Sequence, residues 1–152
     1  MKTERGIIKQ ILNTGNDNKI IIIRLIVGLI FISEGIQKCV IVTAFGPAFF
    51  KDIGFSHPFF WNYFTGSFEI SCGILILFGL LTRLASIPLF IIMIIAFITA
   101  KLPLLAFKGI WTFLHEYSID FSLTLLLILL IIFGGGRWSA DLKILRSKNP
   151  WL

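Results

Sequence analysis

Four apolar runs dominate the chain, near Ile20–Thr43, Tyr63–Leu81, Leu84–Leu104 and Tyr117–Phe133, and each is close to the ~20 residues an α-helix needs to cross a hydrocarbon layer about 30 Å thick. A backbone in lipid has to satisfy its own hydrogen bonds, so runs of this length predict helices. Hydrophobic residues make up 57% of the sequence and charged residues only 14%, with a mean hydropathy of +0.92, which leaves too little polar surface for a water-soluble globule. The expected fold is an all-α membrane protein, an antiparallel four-transmembrane-helix bundle. Residues 1–18 read as a polar cytoplasmic N-terminus, 19–134 as the four-helix membrane domain and 135–152 as a basic cytoplasmic tail. The first apolar run is too long for a signal-peptide core and lacks a small-residue cleavage site, so it is expected to stay as an anchor.

Orientation follows from Lys and Arg, which accumulate on cytoplasmic flanks. Ten of them (Lys2, Arg5, Lys9, Lys19, Arg24, Arg83, Arg137, Lys143, Arg146 and Lys148) fall on one side, against Lys38, Lys51, Lys101 and Lys108 on the other. Both termini are therefore expected in the cytoplasm of a bacterial-type inner membrane. Anionic lipid accounts for the net charge of +6, and no nucleic-acid partner is needed.

The connections on the outer side, AFGPAFFKDIGFSHPFFW and LPLLAFKGIWTFLHEY, are broken by Pro and Gly yet rich in Phe and Trp. Both are expected as short interfacial segments at the outer surface, roofing whatever lies beneath. The inner connection at Thr82-Arg83 is so short that the second and third helices must be antiparallel neighbours.

Seven ionisable residues, Glu34, Lys38, Glu69, Lys101, His115, Glu116 and Asp120, cluster toward the outer ends of these helices. Each charge costs about 2.5–3.5 kcal/mol at a helix centre, so the cluster is the first place to look for function. Arg24, Gly28, Phe31, Gly35 and Lys38 recur at helical spacing on one stripe, and Gly66, Glu69, Gly73, Ile76 and Leu80 repeat the pattern in the second helix. Small residues on these stripes let two helix backbones approach closely, which points Glu69 into the bundle.

These residues carry a family resemblance. With Arg24-Leu25-Ile26-Val27-Gly28, Phe31, Gly35 and Lys38, then Gly66, Glu69 and Gly73, Gly79-Leu80-Leu81-Thr82-Arg83 with Ala85, and Gly134-Gly135-Gly136-Arg137-Trp138-Ser139 with Asp141, the chain resembles the DoxX family of small four-helix membrane proteins. The resemblance implies an inner-membrane fold and, in some members, a role as membrane subunit of a redox assembly, including an archaeal thiosulfate:quinone oxidoreductase. Other members look like partners of thiol-stress enzymes.

On that basis Glu69, Glu34 and Asp120 are candidate proton-transfer groups for a quinone, whose reduction takes up two protons for two electrons. Lys38, Lys101, Glu116 and His115 are candidate ligand-binding residues around an outward-facing polar pocket. A purely structural reading competes, in which Glu34 with Lys38 and Glu69 with Lys101 are ion pairs fastening helices. Arg24, Gly28, Gly35, Gly73, Arg83 and Asp141 are expected to be structural. Arg24 either snorkels to the cytoplasmic phosphates or ties to the segment after the fourth helix with Asp141 accepting its hydrogen bonds, and the tie is favoured. The three glycines at 134–136 are expected to end the fourth helix, and Pro88 to define or kink the third.

Cys39 and Cys72 form no Cys-x-x-Cys pair, which argues against thiol chemistry in this chain alone, although one bridge between helices remains open. His57 and His115 are too isolated for a metal or haem signature, and no flavin motif is present. A redox subunit inactive in isolation, with a soluble or membrane-bound partner and a possible homo-oligomeric state, is the first functional expectation. The alternatives are a proton-coupled transporter using Glu69 and Asp120, and a passive scaffold holding a partner through Phe45, Phe49, Trp61 and Trp111.

Overall fold

The structure is a computed structural model that describes residues 18–41, 46–103, 105 and 109–148, with the side chains of Ala100, Lys101, Glu116 and residues 145–148 outside the description. Its regular elements, among the described residues, are all helical: α1 (Ile20–Val40), α2 (Pro47–Asp52), α3 (Pro58–Phe78), α4 (Thr82–Ala96), which continues through one π-helical turn (Phe97–Lys101), α5 (Ile110–Phe133) and α6 (Ala140–Lys148). α1 and the stretch Thr82–Thr99 are long and apolar enough to cross a membrane, and α5 contains a shorter apolar stretch, Tyr117–Phe133.

Helix ends depart from the hydropathy boundaries for local reasons. α3 starts five residues before Tyr63 because Pro58 takes the first helical position, where its missing N–H is no loss. It stops at Phe78 because Gly79 adopts φ 69° and closes a Schellman turn, with Gly79 N–H on Ile76 O (3.0 Å) and Leu80 N–H on Leu75 O (2.9 Å). α4 then begins at Thr82. α5 starts at Ile110, so the residues from Trp111 to His115, expected in a separate interfacial segment, are instead the first turns of the long helix. Of the two roofing segments expected, α2 forms in the first outer connection, with Phe50 buried against α3. Thr43 and Leu104, the expected ends of two spans, and Phe45 lie outside the described residues.

The four long helices close a ring in which α1 packs on α3, α3 on α4, α4 on α5 and α5 back on α1. The α1–α3 contact is the tightest, and glycine sets it. A Cβ on Gly28 would come within 3.0 Å of Gly73 O, and one on Gly35 within 2.6 Å of Gly66 O. The two pairs are antiparallel and one heptad apart, so both backbones meet at van der Waals distance along about 10 Å of seam.

Packing is graded along the bundle. The half nearer the start of α1, inner by the expected orientation, is filled by Val27, Ile76, Leu89, Leu127 and Leu130, all at 0% exposure. Toward the outer end the inward stripes open: on α1 the sequence runs from buried Val27 and Phe31 to exposed Glu34, and on α5 from Leu127 through Leu123 to half-buried Asp120.

Candidate functional site

The inner end is closed by two buried ions. Arg24, only 3% exposed, donates through Nε to Ile76 O (2.9 Å), through Nη2 to Leu77 O (2.6 Å) and through Nη1 to Gly135 O (3.0 Å) and Trp138 O (2.9 Å). The guanidinium thus holds the last-turn carbonyls of α3 to the turn after α5, where a helix C-terminus is most receptive to a cation. Gly79 makes room for it: a Cβ there would sit 2.5 Å from Arg24 Cζ. The expected tie to the segment after α5 is therefore made through main-chain carbonyls, and the expected acceptor, Asp141, is turned elsewhere. Its Oδ1 accepts Leu81 N–H (2.6 Å) and its Oδ2 accepts Thr82 N–H (3.1 Å) and Thr82 Oγ1–H (3.2 Å), while its own N–H donates to Gly79 O (3.0 Å).

Asp141 so acts as the N-cap that α4 lacks locally. It also holds Leu81 in the left-handed region (φ 49°), which a leucine visits only when its surroundings compel it. Residues 135–141, read from sequence as the start of the tail, are thereby part of the folded bundle, with Gly135, Ser139 and Asp141 buried. Arg83, from the same turn, donates to Ile132 O (2.7 Å) near the C-terminus of α5.

At the outer end, Lys38 and Glu69 form an ion pair through Nζ and Oε1. Side chains on a helix lean toward its N-terminus, and α1 and α3 run in opposite directions, so Lys38 leans inward and Glu69 outward until they meet. The glycine register offsets their backbones by six residues, about 9 Å, which a long lysine stem can bridge. Glu69 is 2% exposed, and its Oε2 accepts no hydrogen bond. Asn62, at 0% exposure, donates Nδ2 to Lys38 O (2.7 Å) and so caps the end of α1, leaving its own Oδ1 without a donor.

Lys38 also borders a pocket of about 340 Å³ between α2, α3 and α4. Phe49 and Phe50 of α2, Phe55, Trp61 and Phe64 form one wall, and Pro88, Ile92, Ala96 and Thr99 of α4 the other. The aromatic wall is knit by edge-on contacts, with ring centroids 5.8 Å apart for Phe50–Phe55 and 5.2 Å for Phe55–Trp61. Two irregularities of α4 face this space. Pro88 deprives Leu84 O of its helical donor, and Thr99 belongs to the π turn, a feature frequent at functional sites. Lys38 is the charged residue of the lining, so the space is an apolar chamber with one cation in its wall and not the polar pocket expected.

The remaining candidates sit around this centre at different distances. Glu34 is exposed on α1, and its charge reaches Glu69. Asp120 is half-buried on α5, with its backbone carbonyl taken by Thr124 Oγ1–H (2.7 Å). His115 is exposed on the outer turns of α5 and His57 precedes α3, also exposed. The side chains of Lys101 and Glu116 are outside the description. Cys39 and Cys72 are free thiols, the second buried in the core. Among the described residues no group of three or more His, Cys, Asp or Glu could hold a metal ion. Asn62 was not anticipated, although its position seven residues before Glu69 on the glycine stripe was the available signal.

Comparison with known proteins places the chain's relatives among membrane proteins. The sequence model of the DoxX family matches residues 20–102, the region from the start of α1 through the π turn of α4. An uncharacterized membrane protein of Mycobacterium tuberculosis is 40% identical over 141 residues, covering 89% of this chain and 86% of its own length. No solved structure matches the chain.

Proposed function

Since the chain belongs to the DoxX family of membrane proteins, we propose that it is a multi-pass subunit of a redox assembly that takes a quinone or similar lipophilic molecule at the outer end of its bundle. All four long helices cross the inner membrane in this reading, with both termini in the cytoplasm. The observation that carries it is the 340 Å³ apolar chamber bordered by Lys38, whose ion-pair partner Glu69 lies buried outside the lining. Its dimensions and aromatic lining suit a flat ring with an apolar tail, and the cation suits a polar oxygen on that ring.

Phe64, Phe68, Ile91 and Ile95 line the chamber and are also exposed on the outer surface of the bundle, which in a bilayer faces lipid. A lipid-soluble ligand therefore arrives sideways between α3 and α4. Glu69 and Lys38 exchange protons with it, and Glu34 and Asp120 lie along the open outer half through which protons reach them. Electrons come from a partner protein, because the sequence carries no nucleotide, flavin or iron–sulfur motif of its own. The packed inner half weighs against alternating access, since that half is closed by Arg24 and Asp141.

Native mass spectrometry of gently extracted protein tests this. Wild type is expected to retain a quinone-mass ligand, and Ala96→Trp, which fills the chamber, to lose it while remaining folded and monodisperse, with a melting temperature lowered by no more than the loss of bound ligand accounts for. Ligand-free spectra from wild type, or a ligand equally retained by both proteins, would overturn the assignment.

A further inference from the structure

One stripe of α1 faces away from the bundle. Ile22, Ile26, Leu29, Ser33, Ile36 and Val40 are all exposed and recur at spacings of three and four, the seam by which two helices pack side chains of one between those of the other. Two polar groups interrupt it. Gln37 flanks the stripe one turn beyond Ser33 and donates Nε2 to Ser33 Oγ (3.2 Å) on the exterior of the helix. At 1.5 Å per residue Gln37 and Ser33 lie about 6 and 12 Å from the end of α1 at Ile41. Helical side chains lean toward the N-terminus, so both lean deeper into hydrocarbon and away from the nearer membrane surface.

Other hydroxyls on the exterior are satisfied within their own helix: Ser67 Oγ donates to Tyr63 O (2.7 Å), Ser118 Oγ to His115 O (2.9 Å) and Ser122 Oγ to Ser118 O (2.8 Å). Ser71, exposed on α3, leaves one isolated hydroxyl open among the described residues. Ser33 and Gln37 together leave a hydroxyl proton, an amide N–H and an amide oxygen open at one spot. Polar groups of this kind are costly against lipid, and hydrogen bonds between helices relieve the cost. We propose, independently of the chamber reading, that this face of α1 is the interface of a parallel homodimer in which Ser33 and Gln37 of the two copies hydrogen-bond across a two-fold axis along the membrane normal. A second copy fits because the open groups are self-complementary: an amide and a hydroxyl each donate and accept, and every copy inserted the same way presents α1 in the same direction. Glu34 stands about 100° around the helix from Ser33, so the two carboxylates are not driven together. In the ring α1 stands opposite α4, which leaves the α3–α4 opening free on the far side of the dimer.

The test uses the full-length protein carrying Cys39→Ala and Cys72→Ala, reconstituted in lipid vesicles. Val40→Cys, on the stripe, is expected to give a disulfide-linked dimer under mild oxidation, and Ile119→Cys, exposed on α5, to give none. Photobleaching counts of single, fluorescently tagged molecules over a dilution series in lipid read the dimer dissociation constant. Gln37→Leu is expected to weaken the dimer at least about tenfold, and Ser71→Leu to leave it unchanged. Monomers at every dilution, equal linking at both cysteine positions, or a dimer as tight in Gln37→Leu as in wild type would overturn the proposal. Linking of Val40→Cys to a different protein in native membranes, with none to itself, would give this face to a foreign helix and overturn the homodimer.

Discussion

Arg24 and Asp141 grip the same junction through different groups: the arginine holds carbonyls of Ile76, Leu77, Gly135 and Trp138, and the aspartate holds the N–H groups of Leu81 and Thr82. Between them they satisfy the end of α3, the start of α4 and the turn after α5. Both ions are nearly inaccessible, and each offsets the charge of the other.

Arg24→Lys is accordingly expected to destabilise the protein severely, because an ammonium cannot spread its three donors over four carbonyls placed for a planar fork. Asp141→Asn, which retains one carbonyl acceptor, is expected to cost about 1–3 kcal/mol. Thermal melts of the purified proteins in detergent measure both. Melting temperatures within a degree of wild type for Arg24→Lys would refute the role given to the guanidinium.

At the α1–α3 seam, Gly35→Ala places a methyl group 2.6 Å from Gly66 O, a distance that only separation of the helices can relieve. Overpacking of this kind costs about 1–3 kcal/mol. Ser71→Ala, on an exposed position of α3, serves as the control and is expected to leave the melting temperature unchanged.

The Lys38–Glu69 pair lends itself to a rescue experiment. Lys38→Met strands a buried carboxylate and is expected to lose about 3–5 kcal/mol, while Lys38→Met with Glu69→Gln removes both charges and recovers most of it. Ligand retention is expected to fail in the single and the double variant alike. A double variant that regained both stability and ligand would assign the pair a structural role only.

Topology is open to direct measurement. A reporter active only in the cytoplasm is expected to work when fused after Leu152, and one active only outside the cytoplasm to fail there. The opposite pattern would place the chamber on the inner side and reverse the direction from which protons arrive.

Much of the helical plan was legible in the residues. Bilayer-length apolar runs located the long helices, and glycines at helical spacing marked the faces by which α1 and α3 meet. Three things were not legible, for physical reasons. Arg24 binds main-chain carbonyls, which every residue possesses, so no side-chain pattern announces its partners. Phe49, Phe50, Trp61 and Phe64 have the composition of an interfacial belt, and composition cannot distinguish rings that lie on lipid from rings that line a cavity. Asp141 stands among basic residues in what reads as a tail, and its capping of a helix sixty residues earlier is a property of the tertiary fold alone. Glu34, Glu69 and Asp120 are equally conspicuous in the sequence, and only their surroundings separate a buried, half-satisfied carboxylate from one open to solvent.

The heptad-spaced glycine contacts have a mechanical consequence. Sliding α1 along α3 by anything less than a full heptad would drive Ile32, Ile70 or Leu77 into the opposing backbone, so the two helices behave as a locked rail and piston motion between them is blocked. Movement around a ligand has to come from the other wall. α4 is already released from regular hydrogen bonding at Pro88 and again at its π turn, and it is this helix that can flex about a fixed Lys38–Glu69 anchor.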